Sequence, residues 1–304
     1  MKSIKTIIAA MLVATATTAG AQTTNYVHII KTDGTKIELS QTEIQSLTID
    51  TEAPVTPIQD YVEFTYSDSK VRVATMNMGA TTVAESAATS YGDYYAWGAT
   101  EPFGTVAFSS YSTGTVTPTA GHEGGYNETN APFAVGNTYY KYTSLDGKTT
   151  LEASDDAVKQ HASWGAGWHM PTQAEFQTLY NACGGSFSGS LEGTLVSYPV
   201  TGVYWVKGSK TAAGVKIGDD TYKVFGLLFV QDDKHVFFPA GGRTYDTTFY
   251  NQDGYLGCCW SSSLKTDYIE TAYCLTFSNY NVLPGNLDNR SGGLPIRPFK
   301  DIDD

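Results

Sequence analysis

The chain has 304 residues, and its 31 acidic against 19 basic side chains leave a formal charge of −12. That length accommodates one large domain, or a domain with a small appendage, and buries a core without cross-links. The acidic balance argues against nucleic acid and against an anionic membrane surface as partners, while 21 tyrosines and 30 glycines favour strands and turns.

Residues 1–21 have the three parts of an export signal. Lys2 and Lys5 form a positive start, Ile7–Ala14 is a short apolar run, and Ala19-Gly20-Ala21 is a small-residue cleavage site. The run is too short for a bilayer span, which takes about 20 residues. No cysteine follows it to carry a lipid. The expected destination is the cell surface, the periplasm or the medium. Export permits disulfides, yet Cys183, Cys258, Cys259 and Cys274 are too scattered for a disulfide framework. One bridge from Cys274 to Cys258 or Cys259 across adjacent strands, and free half-buried thiols, both stay open.

Residues 22–50 read as a small β-hairpin unit. Tyr26–Ile30 is strand-like, Asp33-Gly34 is a strong hairpin turn, and Thr35–Leu39 alternates as the return strand. Ser40 opens a capping-box pattern for a short helical turn, and Leu47–Ile49 reads as a third strand. The unit resembles the short N-terminal hairpin common on exported proteins of the Bacteroidota. An isolated hairpin is marginal in water, so it must dock on something or stay mobile. A Pro-containing polar linker covers residues 51–60.

The main domain spans residues 61–304. Val62–Phe64 and Val71–Ala74 look like strands, and residues 104–150 like long loops with short strands such as Thr138–Tyr142. Ser154 or Asp155 is a plausible cap for a short helix that Gly165 stops. The clearest helix is Gln173–Cys183: Thr172 caps it, Glu175 completes a capping box, and Gly184 ends it. Phe176, Leu179, Tyr180 and Cys183 share its apolar face. Short strands follow over 200–206, 214–217, 222–230 and 236–238. From Pro239 to Phe299, Gly-, Trp- and Arg-bearing scaffold signals alternate with polar and aromatic segments. The class is α+β, strand- and loop-rich with one or two helices, without alternating βαβ units.

Val73–Ala80, Tyr91–Gly98, Thr149–Glu152 with Asp155–Ala157, Trp164–Thr172, Pro239–Gly241, Tyr255–Ser263 and Arg290–Pro298 occur in an order that resembles the Fibrobacter succinogenes major paralogous domain family. The resemblance covers roughly residues 61–299 and implies a C-type-lectin-like fold. His169, Gly242 and Cys258-Cys259 depart from the family's pattern. Some relatives of this fold are targets of diversity-generating retroelements, which vary the C-terminal segment. The Asn, Tyr, Asp, Ser and Thr between the scaffold motifs fit such a process and equally fit ordinary loops.

Chemistry is sparse. The Met170–Phe176 segment also resembles formylglycine-generating and ergothioneine-synthesising enzymes, whose thiol and metal chemistry would fall to Cys258 and Cys259. Adjacent residues on a strand point in opposite directions, so these thiols do not share an ion easily. His28, His122, His161, His169 and His235 lack metal-ligand spacing. Asp219-Asp220 and Asp232-Asp233 read as turns. Asn286–Asn289 also reads as a turn, and calcium-dependent sugar binding has no ligand set. No catalytic residue, cofactor or metal is expected.

Recognition remains, because Tyr and Asn give rigid contact area and adaptable hydrogen bonds. In Ala272–Phe277 the alternation sends Tyr273, Leu275 and Phe277 to the core and Cys274 and Thr276 to an exposed face. The other binding candidates begin with Tyr245, Asp246, Thr247, Tyr250, Asn251, Tyr255 and Cys258. They continue through Lys265, Asp267, Tyr268, Asn279, Tyr280, Asn286, Asp288 and Asn289. Trp260, Arg243, Arg290 and Arg297 are expected to hold the fold. The expected function is binding of a protein or glycan ligand, with a structural or adhesive subunit of a surface assembly as the alternative and an oxidase as the remoter one.

Overall fold

A computed structural model describes residues 26–30, 36–40, 60–120, 122–127, 129–136, 138–164, 166–208 and 213–302. The chain divides into two compact units, Met1–Val55 and Thr56–Asp304. In the first, Tyr26–Ile30 pairs antiparallel with Lys36–Ser40, with Ile29 opposite Ile37. The export signal, the Asp33-Gly34 turn, the helical turn beyond Ser40, the Leu47–Ile49 strand and the linker up to Gln59 lie outside the described residues. No helix among the described residues is long and apolar enough to cross a membrane.

The second unit is strand-rich α+β. Among the described residues its α-helices are Ala87–Ser90, Ala157–Gln160 and Gln173–Ala182, and only the last exceeds one turn. Thr172 accepts from the Glu175 N–H while Glu175 accepts from the Thr172 N–H, which completes the expected capping box. Ala157–Gln160 is capped by Asp156, not by Ser154 or Asp155. Asp155 is committed elsewhere, to the Lys141 ammonium and the Tyr142 phenol. The Asp156 carboxylate also accepts from the Met170 N–H at 3.0 Å and so ties two segments together.

Three sheets frame this unit. Tyr61–Tyr66 and Ser69–Ala74 form a hairpin, and Phe299–Lys300 pairs with Ser69–Ala74, so the unit's last strand joins its opening hairpin. Phe187–Leu191, Gly202–Val206, Gly226–Gln231 and Lys234–Pro239 make a second sheet. Every residue of Gly202–Val206 is buried, as a strand covered on both faces requires. Gly257–Leu264, Thr271–Phe277 and Val282–Asn289 form an antiparallel meander. Asn286–Asn289 therefore belongs to a strand and not to a turn, with Leu287 opposite Tyr273 and Asn286 opposite Cys274.

The first two strands of the meander are covered on both faces, whereas the third leaves Leu283 and Gly285 exposed. Cys259, Leu275 and Phe277 join one core with Phe176, Trp205 and Phe238. Cys258, Trp260 and Cys274 join another with Trp97, Trp164 and Trp168. The expected alternation holds, but the expected exposure of Cys258 and Cys274 does not, and Tyr273 is only half-buried. The second core covers the face that carries both thiols.

Four buried side chains bind the layers through backbone carbonyls. Trp260 Nε1 donates to Tyr95 O at 2.7 Å and Trp97 Nε1 to Ser261 O at 2.8 Å. Arg297 donates to Asn77 Oδ1, Ala74 O and Phe237 O at 2.8, 2.8 and 2.9 Å. Arg290 reaches the carbonyls of Lys141, Tyr142 and Ile269. Its guanidinium lies 4.1 Å from the Tyr139 ring centroid and 4.7 Å from that of Trp97. Burial pushes both arginines down to about 10.

All four cysteines are free and buried. Cys258 faces Thr276 and Cys274 faces Trp260, so these two thiols are diagonal neighbours. Diagonal Cα atoms lie about 7–8 Å apart, beyond disulfide reach, and Cys259 points into the opposite core. Burial pushes Cys183 and Cys259 up to about 12, which leaves them inert. Ellman's reagent should therefore find no thiol in the native protein and four after denaturation; a native bridge would show as a shortfall of two. Replacing Arg297 by leucine strands three buried acceptors in two segments and should lower unfolding free energy by about 3–5 kcal/mol in urea titrations.

Candidate recognition cleft

Arg243–Tyr245 and Thr248–Tyr250 form a short hairpin. Asp246 at its tip has φ 50°, a conformation that Asp tolerates better than most residues. Thr244 and Gly293 exchange backbone hydrogen bonds at 2.8 Å in both directions, which docks the hairpin beside the end of the meander. A Cβ on Gly293 would stand 2.1 Å from Thr244 Oγ1, so glycine is required for that approach. A loop over residues 122–130 closes in from the other side. Gly125 there has φ +73°, and a Cβ on it would fall 1.9 Å from Asp246 O.

Between loop and hairpin lies an open cleft of about 710 Å³. The hairpin supplies Tyr245, Asp246 and Tyr250, the loop supplies Tyr126, Asn127 and Thr129, and the end of the meander supplies Asn289 and Ser291. The loop holds its shape through asparagines: Asn127 Oδ1 accepts from Thr129 N at 2.9 Å and from Thr129 Oγ1 at 2.6 Å, and Asn130 Oδ1 accepts from Asn127 N at 2.6 Å. The Tyr126 ring is backed by His122 at 4.3 Å and by Phe103 at 5.3 Å.

Asp288 forms the floor. Its carboxylate is buried, takes a 2.6 Å contact from Arg243 Nη1, and accepts from the Tyr245 phenol and from Asn289 N at 2.8 Å. The Arg243 guanidinium sits 5.0 Å from the Tyr245 ring centroid. Burial and then the Asp288 charge hold the Tyr245 phenol well above its ordinary range, so it stays a neutral donor. Burial pulls Arg243 down, but Asp288 and Tyr245 outweigh it and the guanidinium stays charged. Behind this trio, Asn286 Nδ2 donates to Thr276 Oγ1 at 3.0 Å, and Cys274 Sγ lies 3.4 Å from Thr276 Oγ1.

The expected recognition set thus divides. Tyr245, Asp246, Tyr250 and Asn289 line the cleft, with Thr247 exposed on the same hairpin tip and Asp288 beneath. Cys258, Cys274, Thr276 and Asn286 form a covered inner layer. Asn251 is buried and donates to Tyr111 O and Ala240 O at 2.9 Å, so it pins the chain. Tyr255 packs on the core, its ring centroid 5.5 Å from that of Phe225. Lys265, Asp267 and Tyr268 occupy one turn of the meander, where Lys265 pairs with Asp267 at 3.1 Å. Asn279 and Tyr280 occupy the other turn, beyond the far end of Thr271–Phe277. A seven-residue strand measures about 20 Å, so the two turns cannot share one small contact. Tyr126, Asn127, Thr129 and Ser291 were not among the expected residues; for the first three the Tyr- and Asn-rich composition of residues 104–150 was the only sequence signal, and Ser291 lies within the Arg290–Pro298 scaffold motif.

Elsewhere, His169 stands between carboxylates. Its Nε2 lies 2.9 Å from Glu175 Oε1, and its Nδ1 lies 2.7 Å from Asp301 Oδ1 in an ionic contact without hydrogen-bond alignment. Burial pulls the imidazole down, but Glu175, Asp301 and Asp156 outweigh it, so its pKa lies above the ordinary 6.5. Among the described residues no group of three or more His, Cys, Asp or Glu side chains is arranged to hold a metal. A raised folded-state pKa contributes stability below the ordinary histidine value and loses it as pH rises through the folded value. Removing the imidazole with His169→Ala should therefore cost more melting temperature at pH near 6 than at pH near 9; an equal loss at both would contradict the arrangement.

Set against protein families, curated proteins and solved structures, the chain matches none.

Proposed function

We propose that the chain is an exported, non-catalytic recognition module that binds a protein or glycan ligand in the Tyr/Asn/Asp cleft, on a C-type-lectin-like fold related to the Fibrobacter succinogenes major paralogous domain family. The observation that carries this reading is a division of labour. Trp97, Trp168, Trp260, Arg290 and Arg297, from the motifs that carry the resemblance, are all buried. Tyr245, Asp246, Tyr250 and Asn289, from the segments between such motifs, meet Tyr126 and Asn127 around one open cleft. The non-catalytic part is supported by the thiols, since Cys258 and Cys259 lie in different cores with their pKa values raised by burial. The exposed Asp246-Thr247 tip would be the natural place for variation if a retroelement diversifies this segment.

A second reading, a subunit of a surface assembly that docks through the N-terminal hairpin, draws on the separate compact unit that contains Tyr26–Ser40. A chain lacking residues 22–60 discriminates between the two: retained ligand binding favours the first, and loss of assembly alone favours the second.

The recognition reading is tested by probing a protein and glycan array with the full chain and with Tyr250→Ala and Asn127→Ala. Binding should fall about fivefold for Tyr250→Ala, the effect of losing an aromatic contact in the cleft, and should be unchanged for Tyr280→Ala at the distant turn. Equal binding by all these variants would falsify the assignment of the cleft.

A further inference from the structure

We propose that the cleft receives a lysine or arginine side chain from a protein partner, an inference that rests on the recognition reading above and narrows it. Asp246 is exposed at the hairpin tip and makes no ion pair among the described residues. No lysine or arginine is among the described residues that line the cleft. Arg243 lies against the Tyr245 ring, outside the lining, with its Nη1 committed to Asp288. Tyr250 is 46% exposed and stands 5.9 Å, centroid to centroid, from Tyr245 at a steep interplanar angle. A carboxylate beside electron-rich phenol rings is the chemistry that holds an ammonium or a guanidinium.

The fold already contains that arrangement. At the cleft floor the Arg243 guanidinium lies against the Tyr245 ring and the Asp288 carboxylate. Tyr250 and Asp246 bring a second ring and a second carboxylate to the same cleft, whose described lining holds no lysine or arginine. An anionic ligand would meet Asp246 and a chain of formal charge −12. A neutral ligand would leave the Asp246 charge unused. A basic side chain uses both the charge and the ring, and the Asn289 carboxamide oxygen, which also lines the cleft, can accept a further N–H from it.

The test is fluorescence anisotropy with the full chain and three labelled probes: a peptide of alternating lysine and serine, its glutamate–serine counterpart, and a galactose oligomer. The lysine peptide should bind and should release as salt is raised. Asp246→Asn should weaken it about fivefold, and Tyr250→Ala about fivefold. Tyr250→Phe, which keeps the ring, should retain it, and Asp267→Asn on the distant turn should leave it unchanged. Failure of the folded protein to bind the lysine peptide, binding of the glutamate peptide, or equal losses in Asp246→Asn and Asp267→Asn would overturn the proposal. Binding of the galactose oligomer that depends on Tyr250 and ignores salt would overturn the cationic class while leaving the recognition reading intact. Array binding indifferent to Tyr250 and Asn127 would remove that reading itself.

Discussion

Cys259, Leu275 and Phe277 fill one core while Cys258, Trp260 and Cys274 fill another, so the paired strands Gly257–Leu264 and Thr271–Phe277 are covered on both faces. A sheet buried on both sides cannot present its strands to a partner; it can only support what leans on its ends. The hairpin Arg243–Tyr250 is such an element, joined through Thr244 to Gly293 at the meander's exit. The cleft lies there because that junction leaves room for a second segment, the loop over residues 122–130, to approach from the opposite side. Gly125 makes the approach close enough to bring tyrosines from distant parts of the chain together.

A two-sided core in a unit with one helix longer than a turn leaves many carbonyls at loop ends without helical or ladder partners. Buried carbonyls must be paired. Arg290 and Arg297 solve this with multidentate donors: Arg290 reaches three carbonyls and Arg297 two carbonyls and the Asn77 side-chain oxygen, each bridging two segments. The aromatic rings around them offset the desolvation of a charge that has no carboxylate partner among its hydrogen bonds. These arginines do at the loop junctions what a disulfide framework does in smaller exported domains, which fits four cysteines that stay reduced.

The helix Gln173–Ala182 was legible because its capping box and its end lie within a dozen residues. Three strands of the second sheet were legible because they are short apolar runs between glycine and aspartate turns, whereas Phe187–Leu191, with its glycine and two serines, was not. The strand Val282–Asn289 was not: Pro284, Gly285 and three asparagine or aspartate residues all disfavour a strand locally. Its conformation comes from pairing with Thr271–Phe277, a tertiary effect. Parity along Ala272–Phe277 was readable, but exposure was not, since the cover over Cys274 comes from Trp97, Trp164 and Trp168, more than a hundred residues upstream. The same holds for the cleft. Its hairpin side could be seen in a Tyr-rich segment, whereas its loop side depends on a contact between Gly125 and Asp246 that no local pattern encodes.

The floor of the cleft bears on how such a site can bind at all. Asp288 is buried, and alone it would repel any acceptor brought near and would be costly to keep ionised. Arg243 and the Tyr245 phenol occupy its oxygens, and the Asn289 N–H takes a further lone pair, so the charge is spent within the protein. Tyr245 is thereby fixed in one orientation before a ligand arrives, and Tyr250 rests against it. Preorganised rings lose little conformational freedom on contact, which leaves more of each interaction available as affinity. The freedom that remains is confined to Asp246 and Thr247 at the tip, where a change of side chain alters the cleft without disturbing the floor beneath it.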